Sequence, residues 1–331
     1  MAEFVASFIT GFQGVVERDL PLRLPGLKIL NLFDGLVHFS YAGNSHDLEK
    51  IIYFNNTFFV LKTYKGKNLG FNFMVGELCR QNKYFLITKG SFRVRFQNEN
   101  QFAKIEKNVA RRVEDYVLNN TKLKVDRVSP STEIWFSIRR EGFGFAGQLI
   151  SKREFTEKNL NKGELRPEIA YLISCFAGIK KDDIILEPFC GYGSIPVQIA
   201  KKFEYSKLYV SDIDELKVQE VAQKKQLLNN STVEVYCADA FGLEHIKDKS
   251  VSLVVTDPPW GYYEEIDSIE DFYIKMFDSF RRVLKEGGRM VILSARKEEI
   301  EKAATRMNIQ TVDSLHTLVN GKKASLYLMK F

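Results

Sequence analysis

Residues 256–261 read Thr-Asp-Pro-Pro-Trp-Gly and come directly after the apolar run Val251–Val255. The run has the composition of a buried strand. The prolines end it, because proline offers no N–H to a central ladder and holds the residue before it extended. Beyond the strand lies a short stiff segment with three chemical tools: the carboxylate of Asp257, the backbone carbonyl of Pro258 and the flat face of Trp260. The two oxygens can accept the two N–H bonds of an amine, and an indole face stacks a planar ring at about 1–3 kcal/mol. An ordinary strand-end turn needs none of these.

A second constellation lies upstream. "EPFCGYGSI" (187–195) follows another apolar run, and Gly191 and Gly193 allow a sharp turn and close approach to a ligand. The helix expected next aims its N-terminal amides at the same spot. Asp212 ends the next strand-like run, 19 residues after Gly193, where a carboxylate accepts from both ribose hydroxyls. Asp239 ends the third run, placed to accept from an adenine amine. Glu187 and Phe189 before the turn, and Ile213 and Ala240 beside the two acids, complete the candidate lining. This is an adenosine site. A dinucleotide is the competing ligand, but Pro196 stands where a pyrophosphate-binding G-x-G-x-x-G turn has its third glycine. S-adenosylmethionine has no phosphate and needs no third glycine. Asp214 is placed to cap the following helix. Cys190 has no general base beside it and reads as a small residue filling the turn.

These residues need a scaffold that brings strand ends together. "DDIILE", "KLYVSD", "TVEVYCAD", "SVSLVVTD" and "RMVILSA" read as five strands. Helical stretches separate them: one after the glycine turn, one from about Glu215 to Leu228, and one carrying Phe272, Tyr273, Met276, Phe277, Phe280, Val283 and Leu284 at helical spacing up to "KEGG". Alternation of this kind builds a doubly wound, mostly parallel α/β sheet. The last twenty residues break the pattern with two strand-like runs joined at Asn320-Gly321, a hairpin signal. A parallel sheet closed by an antiparallel hairpin resembles the class I methyltransferase architecture; a dehydrogenase-type domain would continue in parallel.

The first half mixes helix and strand. "FRVRF" (92–96) and "TEIWFSIRR" (132–140) are strand candidates, and Ile105, Val109, Val113 and Val117 share a helix face near Lys104, Lys107, Arg111 and Arg112. Pro167 suits the first turn of a helix through "EIAYLISCF". The chain of 331 residues carries a net charge of +6, unevenly spread: residues 61–140 hold 17 basic and 7 acidic side chains. Such a basic segment is a footprint for a polyanion. The four cysteines and four histidines are scattered, which argues against a disulfide framework or a metal site. No apolar run approaches a membrane-spanning length. Glu3 stands where a secretory signal would be basic, so the expected location is cytoplasmic.

The order of glycine turn, ribose acid, adenine acid and "DPPW" resembles the amino-methyltransferases, whose fourth-strand motif is Asp or Asn, Pro, Pro and an aromatic. An exocyclic base amine is a poor nucleophile because its lone pair spreads into the ring. By this resemblance Asp257 and the Pro258 carbonyl hold its N–H bonds and Trp260 stacks a flipped-out base. Upstream, "FVASFITGFQGVVERDL" resembles the ferredoxin-like segment that precedes THUMP domains. "GSFRVRF" and "STEIWFSIRREGFGFAGQLISKREF" resemble THUMP itself, and "ELRPEIAYLI" resembles the junction into the methyltransferase domain. The resemblance, tight over 165–295 and looser over 1–150, is to the THUMP-containing RNA guanine-N2 methyltransferases.

It implies S-adenosylmethionine as cofactor and tRNA gripped at its acceptor end by the basic N-terminal region, with Lys104, Lys107, Arg111 and Arg112 as contacts; no metal and a monomer are further expectations. Asp257, Pro258 and Trp260 would serve the amine. Glu187, Phe189, Gly191, Gly193, Asp212, Ile213, Asp239, Ala240 and Asp257 would line the cofactor. The expected domains are a ferredoxin-like α+β segment (1–60), a THUMP-like RNA-binding domain (61–150), a linker (151–166) and a Rossmann-like methyltransferase domain (167–331). Ribosomal RNA guanine, an adenine or cytosine amine in DNA or RNA, and a non-catalytic RNA-binding role are the alternatives the residues leave open.

Overall fold

The computed structural model describes residues 1–153, 160–227, 230–262 and 266–331. The chain forms two compact units. One comprises Met1–Phe8 and Leu20–Glu154; the other comprises Ile9–Asp19 and Phe155–Phe331. Among the described residues, the first unit is built on a nine-stranded sheet. Its strands are β1 (Ala2–Ser7), β2 (Lys28–Phe33), β3 (Leu36–Tyr41), β4 (Asn56–Lys65), β5 (Lys89–Asn98), β6 (Gln101–Phe102), β7 (Lys122–Val125), β8 (Thr132–Ile138) and β9 (Phe143–Lys152). They run in the order β2-β3-β1-β4-β9-β8-β5-β6, with β7 also paired to β5. Pairing is antiparallel except for β5 with β7 and with β8. Helix α1 (Gln13–Arg23) begins in the Ile9–Asp19 segment, and α2 (His46–Glu49), α3 (Phe71–Cys79) and α4 (Lys107–Asn120) come after it. Val5, Phe58, Trp135, Phe143, Phe145 and Leu149 form one core of this unit. On α4 the expected apolar stripe is real: Val109, Val113 and Val117 are buried, while Ile105 lies just before the helix. The polar stretch expected as a linker falls partly on residues 154–159, outside the described residues.

The second unit holds α5 (Pro167–Phe176), β10 (Ile184–Glu187), α6 (Ser194–Lys202), β11 (Lys207–Asp212), α7 (Glu215–Ala222), β12 (Val233–Cys237), β13 (Val251–Thr256), α8 (Ile269–Val283), β14 (Leu284–Ser294), α9 (Lys297–Arg306), β15 (Gln310–Val319) and β16 (Lys322–Lys330). The sheet order is β12-β11-β10-β13-β14-β16-β15. The first five strands are parallel, and β16 enters antiparallel between β14 and β15. This is the doubly wound sheet with a terminal hairpin that the sequence predicts. Strand order reverses between β10 and β13, so the loops leaving these neighbours run to opposite sides and open a crevice at their carboxyl ends. Every residue of β13 is buried, as a strand covered on both faces requires. Helix α8 presents Tyr273, Met276, Phe277, Phe280 and Val283 to this core, with Glu270 and Asp271 in its first turn and Arg281 and Arg282 in its last, matching the helix dipole.

Two local elements differ from expectation. Helix α7 closes at Ala222, and Gln223 to Leu227 form turns that still bury Leu227; the expected end at Leu228 lies outside the described residues. "KEGG" does end α8, but it then lies within β14 as an irregularity: Val251 pairs with Leu284 and Leu253 with Arg289, the intervening residues looping out with Gly287 at φ +70°. A second glycine is fixed by packing. At Gly11 (φ +90°) a Cβ would stand 1.9 Å from the His316 carbonyl oxygen, and Thr317 Oγ1 donates to the neighbouring Thr10 carbonyl at 2.8 Å.

The amino-terminal side of the parallel sheet is held by a buried ion pair. Arg289 donates to Asp183 through both Nη atoms (3.1 and 2.7 Å), to the Ala177 carbonyl through Nε and to the Gly178 carbonyl through Nη2; Ser252 Oγ adds a bond to Asp183 at 2.7 Å. Removing one partner of such a pair leaves an uncompensated charge. Arg289→Ala should therefore lower unfolding free energy by about 3–5 kcal/mol in urea titrations. The double change Arg289→Met with Asp183→Leu should recover most of that loss.

Candidate active site

The crevice at the reversal point is a cavity of about 480 Å³, and the described residues that line it belong to the second unit. Glu187, Phe189, Gly191, Asp212, Ile213, Asp239, Ala240, Asp257, Pro258 and Trp260 all face it. Gly193 does not line it. That glycine adopts φ +80° at the cap of α6, and a Cβ there would approach the Val221 methyls at 3.1 Å, so its task is to set the turn. Lys104, Lys107, Arg111 and Arg112 belong to the first unit, where all four are exposed on or just before α4.

Asp212 is shared between turn and pocket. Its Oδ2 accepts from the Gly191 amide at 2.8 Å and its Oδ1 from the Asp214 amide at 3.0 Å, so the acid that ends β11 also holds the glycine turn after β10. Asp214 caps α7, accepting from the Leu216 and Lys217 amides, as its position predicts. Asp239 is exposed and accepts from the Phe241 amide at 2.9 Å. Ile213 is 72% exposed, an apolar surface beside two acids. The Cys190 thiol is buried, and that burial pushes it far above the usual thiol range, which makes it inert.

Two carboxyl groups form the floor. Glu187 is fully buried; its Oε1 accepts from Thr256 Oγ1 at 2.7 Å and from the Phe189 amide at 3.2 Å, and its Oε2 has no partner. Burial raises its pKa well above the carboxylate range despite those two bonds, with Asp257 and Asp212 adding to the rise. Asp257 is half-buried, with Oδ1 sealed from solvent and unpartnered. Burial pushes it up to about 8, against the opposing pull of the Trp260 indole N–H. The loop beyond is anchored: Arg296 Nε donates to the Trp260 carbonyl at 2.6 Å, the Arg296 amide donates to Ser294 Oγ, and Ser294 shares a 2.7 Å hydrogen bond with Tyr273.

The charges decide which ligand fits. Around the glycine turn stand Asp212, Asp214 and Asp239, and Lys217, which also lines the cavity, is paired with Asp214 at 3.5 Å. No adenosine diphosphate would be drawn there. A ligand with ribose hydroxyls, an adenine amine and positive charge meets acceptors at each point. An ordered cradle at Gly191, where a Cβ would meet nothing within 4 Å, leaves room for the backbone to approach it.

Sequence reasoning missed several lining residues. Lys162–Leu165 form one wall, tied to α6 by a Ser194 hydroxyl bond to the Leu165 carbonyl at 2.9 Å. Tyr262, Asn320 and Lys322 form the rim near Trp260. The proximity of Tyr262 to the "DPPW" motif is a signal that could have found it. Nothing local marks Lys322, which reaches the site only because β16 inserts beside β14.

Fold and crevice together define a class I methyltransferase architecture. Residues 153–324 match the UPF0020 family of RMKL-like methyltransferase domains, and the chain belongs to that family. It is 30% identical over 189 residues to the tRNA (guanine(10)-N2)-dimethyltransferase of Methanothermobacter thermautotrophicus, covering 54% of this chain and 55% of that protein. It is 25% identical over 221 residues to the tRNA (guanine(6)-N2)-methyltransferase of Thermus thermophilus, covering 65% of each. The matches thus span between half and two thirds of these relatives' lengths. The crystal structure of TrmN from Thermus thermophilus superposes with a TM-score of 0.80 at 19% identity over 100% of this chain and 99% of that one, which establishes the shared fold.

The raised Asp257 pKa has a signed consequence for stability. Between the unfolded value near 3.8 and the folded value of about 8, the folded state keeps a proton that the unfolded state has lost. Stability from this group is therefore complete below the lower value and declines as pH rises to the upper one. Asp257→Asn removes that decline. Its unfolding free energy relative to the parent should climb between pH 5 and pH 8 and level off above, by at most about 1.4 kcal/mol per pH unit. A constant difference across that range would refute the assignment.

Proposed function

We propose that this protein transfers a methyl group from S-adenosylmethionine to the exocyclic N2 amine of a guanine in tRNA. The observation that carries the reading is Asp257: a carboxyl oxygen sealed from solvent and unpartnered, at the end of β13, beside the Pro258 carbonyl and the Trp260 face. The names borne by the two tRNA guanine-N2 methyltransferase relatives support guanine and tRNA as the target. The acids at the glycine turn support the cofactor, with Asp212 and Asp239 as acceptors for ribose and adenine, Ile213 and Ala240 beside them, and Glu187, Phe189 and Gly191 around the remainder.

When bound, the cofactor supplies an electrophilic methyl group on a sulfonium. The protein's part is to place and polarise the amine. Ionised Asp257 accepts one N–H and the Pro258 carbonyl accepts the other, which turns the nitrogen lone pair out of the ring and stabilises the positive charge that grows on nitrogen. Trp260 stacks the extruded base, and its loop is already anchored through Arg296, so little ordering is left for the moment of binding. The buried wall around Asp257 excludes water, which strengthens each of these contacts. The methylated amine then releases its proton.

We assign RNA docking to the basic first unit as a THUMP-like region, with Lys104, Lys107, Arg111 and Arg112 positioning the acceptor end through phosphates. The cell interior is the proposed site of action. Among the described residues no helix is long and apolar enough to cross a membrane.

Purified protein should transfer labelled methyl from S-adenosylmethionine to bulk tRNA taken from a strain lacking the gene, with the label in N2-methylguanosine by mass. Label in DNA or in N6-methyladenosine, or none at all, would overturn the reading. Asp257→Ala should reduce transfer by at least about 100-fold while S-adenosylhomocysteine affinity stays within a few-fold. Because only ionised Asp257 accepts the amine, kcat/KM should rise with pH to a plateau above about 8. Asp257→Asn should flatten that profile.

A further inference from the structure

The first unit carries an aromatic side chain that its core does not use. Phe102 stands on β6 and is 61% exposed. On the adjacent β5, Phe92 and Phe96 are buried, and Phe96 meets Phe71 at the start of α3 at 5.3 Å. The pleat therefore turns Arg93, Arg95 and Gln97 to the other face, away from α3. Register fixes their company there. On β8, Glu133 is opposite Arg93, Trp135 opposite Arg95 and Ser137 opposite Gln97; on β6, Phe102 is opposite Gln97. The Phe102 and Trp135 rings lie 5.4 Å apart, and the Arg95 guanidinium stands 4.9 Å from the Phe102 centroid.

The charges on this face do not cancel. Glu133 accepts from Arg93 Nε and from the Trp135 indole, each at 2.6 Å. Arg95 Nε stays 3.9 Å from the same carboxylate, beyond hydrogen-bond reach, sealed from solvent and without a hydrogen-bond partner. Two arginines thus face one acid, and the exposed Lys104 follows two residues after Phe102. The hairpin that delivers Phe102 is also strained. Its two-residue turn is Glu99-Asn100, at φ +46° and +69°, a conformation that costs a glutamate about 1–3 kcal/mol. Folding alone gains little from a strained turn that leaves a phenyl ring in water. A ligand that covers the ring accounts for both. An exposed ring, a guanidinium stacked against it and an excess of cations suit a nucleobase and the phosphate next to it. A duplex hides its base faces, so such a ring selects unpaired nucleotides.

We propose that Phe102 and Arg95 form a stacking site for single-stranded nucleic acid, in which an unpaired base lies on the Phe102 ring and the adjoining phosphate meets Arg95. The proposal rests on the nucleic-acid reading of the protein's function. It adds to the phosphate contacts assigned to α4 a site on the face of the sheet turned away from α3. That site distinguishes unpaired from paired nucleotides and does not read sequence, because every base has a face to stack.

The test uses the full-length parent, Phe102→Ala, Phe102→Leu, Phe102→Tyr and Arg95→Ala. Fluorescence anisotropy follows binding of a short labelled oligouridylate and of a blunt RNA hairpin over a range of salt, without cofactor. Phe102→Ala should weaken the single strand by about 5- to 150-fold, the equivalent of one base stacked on an aromatic ring. Phe102→Leu, which stays apolar but lacks the ring, should weaken it comparably, and Phe102→Tyr should bind like the parent. Arg95→Ala should flatten the single strand's plot of log affinity against log salt by about 0.7. Hairpin binding and S-adenosylhomocysteine affinity should be unchanged in the Phe102 variants. Single-strand affinity of Phe102→Ala indistinguishable from the parent's overturns the stacking site, as does equal loss for strand and hairpin or an unchanged salt slope in Arg95→Ala. If the parent transfers no methyl to tRNA yet Phe102→Ala still loses the single strand, the stacking site stands and the guanine-methylation reading fails. If transfer proceeds and Phe102→Ala binds as the parent does, the stacking site fails alone.

Discussion

The site depends on two carboxyl groups, Glu187 and Asp257, that end neighbouring parallel strands with one oxygen each left unpartnered in a buried wall. Unpaired carboxyl oxygens away from water are costly, and a loose structure would move to satisfy them. Here the surroundings do not yield. The pairing of Ile185 with Leu253 and of Leu186 with Val254 fixes the two strand ends relative to each other. Thr256 is held by its bond to Glu187, and the prolines at 258 and 259 deny the chain the freedom to fold back. Tyr273, Ser294 and Arg296 close the far side. The core under α8 supplies the stability that tolerates this strained polar floor.

That arrangement explains why the pocket is divided electrically. Acids collect where a cationic, hydroxyl-rich cofactor would lie, with Lys217 there paired to Asp214, and Lys322 and Arg296 stand on the side of Trp260. The division comes from topology. The acidic end is made by the loops after β10, β11 and β12, while the basic rim is made by β14 and the hairpin of β15 and β16. Asp212 joins sequence-distant pieces of the first group, because its two oxygens hold both the glycine turn and the cap of the next helix.

Much of the second unit was legible because its signals are local. Buried parallel strands read as continuous apolar runs, Pro167 marks the start of α5, Asp214 caps α7, and Asn320-Gly321 marks the hairpin. The misses have physical causes. The extent of α7 was overestimated because polar residues at helical spacing do not show where packing stops supporting a helix. The loop-out at "KEGG" appears only when the register of β14 on β13 is known. The double duty of Asp212 was invisible because it needs the distance to a backbone amide 21 residues away.

Sequence by itself determined the kinds of group available to the site: a glycine turn, four acids at strand ends, a proline-stiffened loop and an aromatic face, each written within a few consecutive residues. Tertiary structure alone decided their states and their company. It left one oxygen of Asp257 without a partner, raised that carboxyl to about 8, and brought Lys322 from the end of the chain to the ring of Tyr262. The reason is that composition and periodicity are properties of neighbours along the chain. Burial and electrostatic environment are set by neighbours in space, and those exist only once β16 has inserted between β14 and β15 and the strand order has reversed at β10.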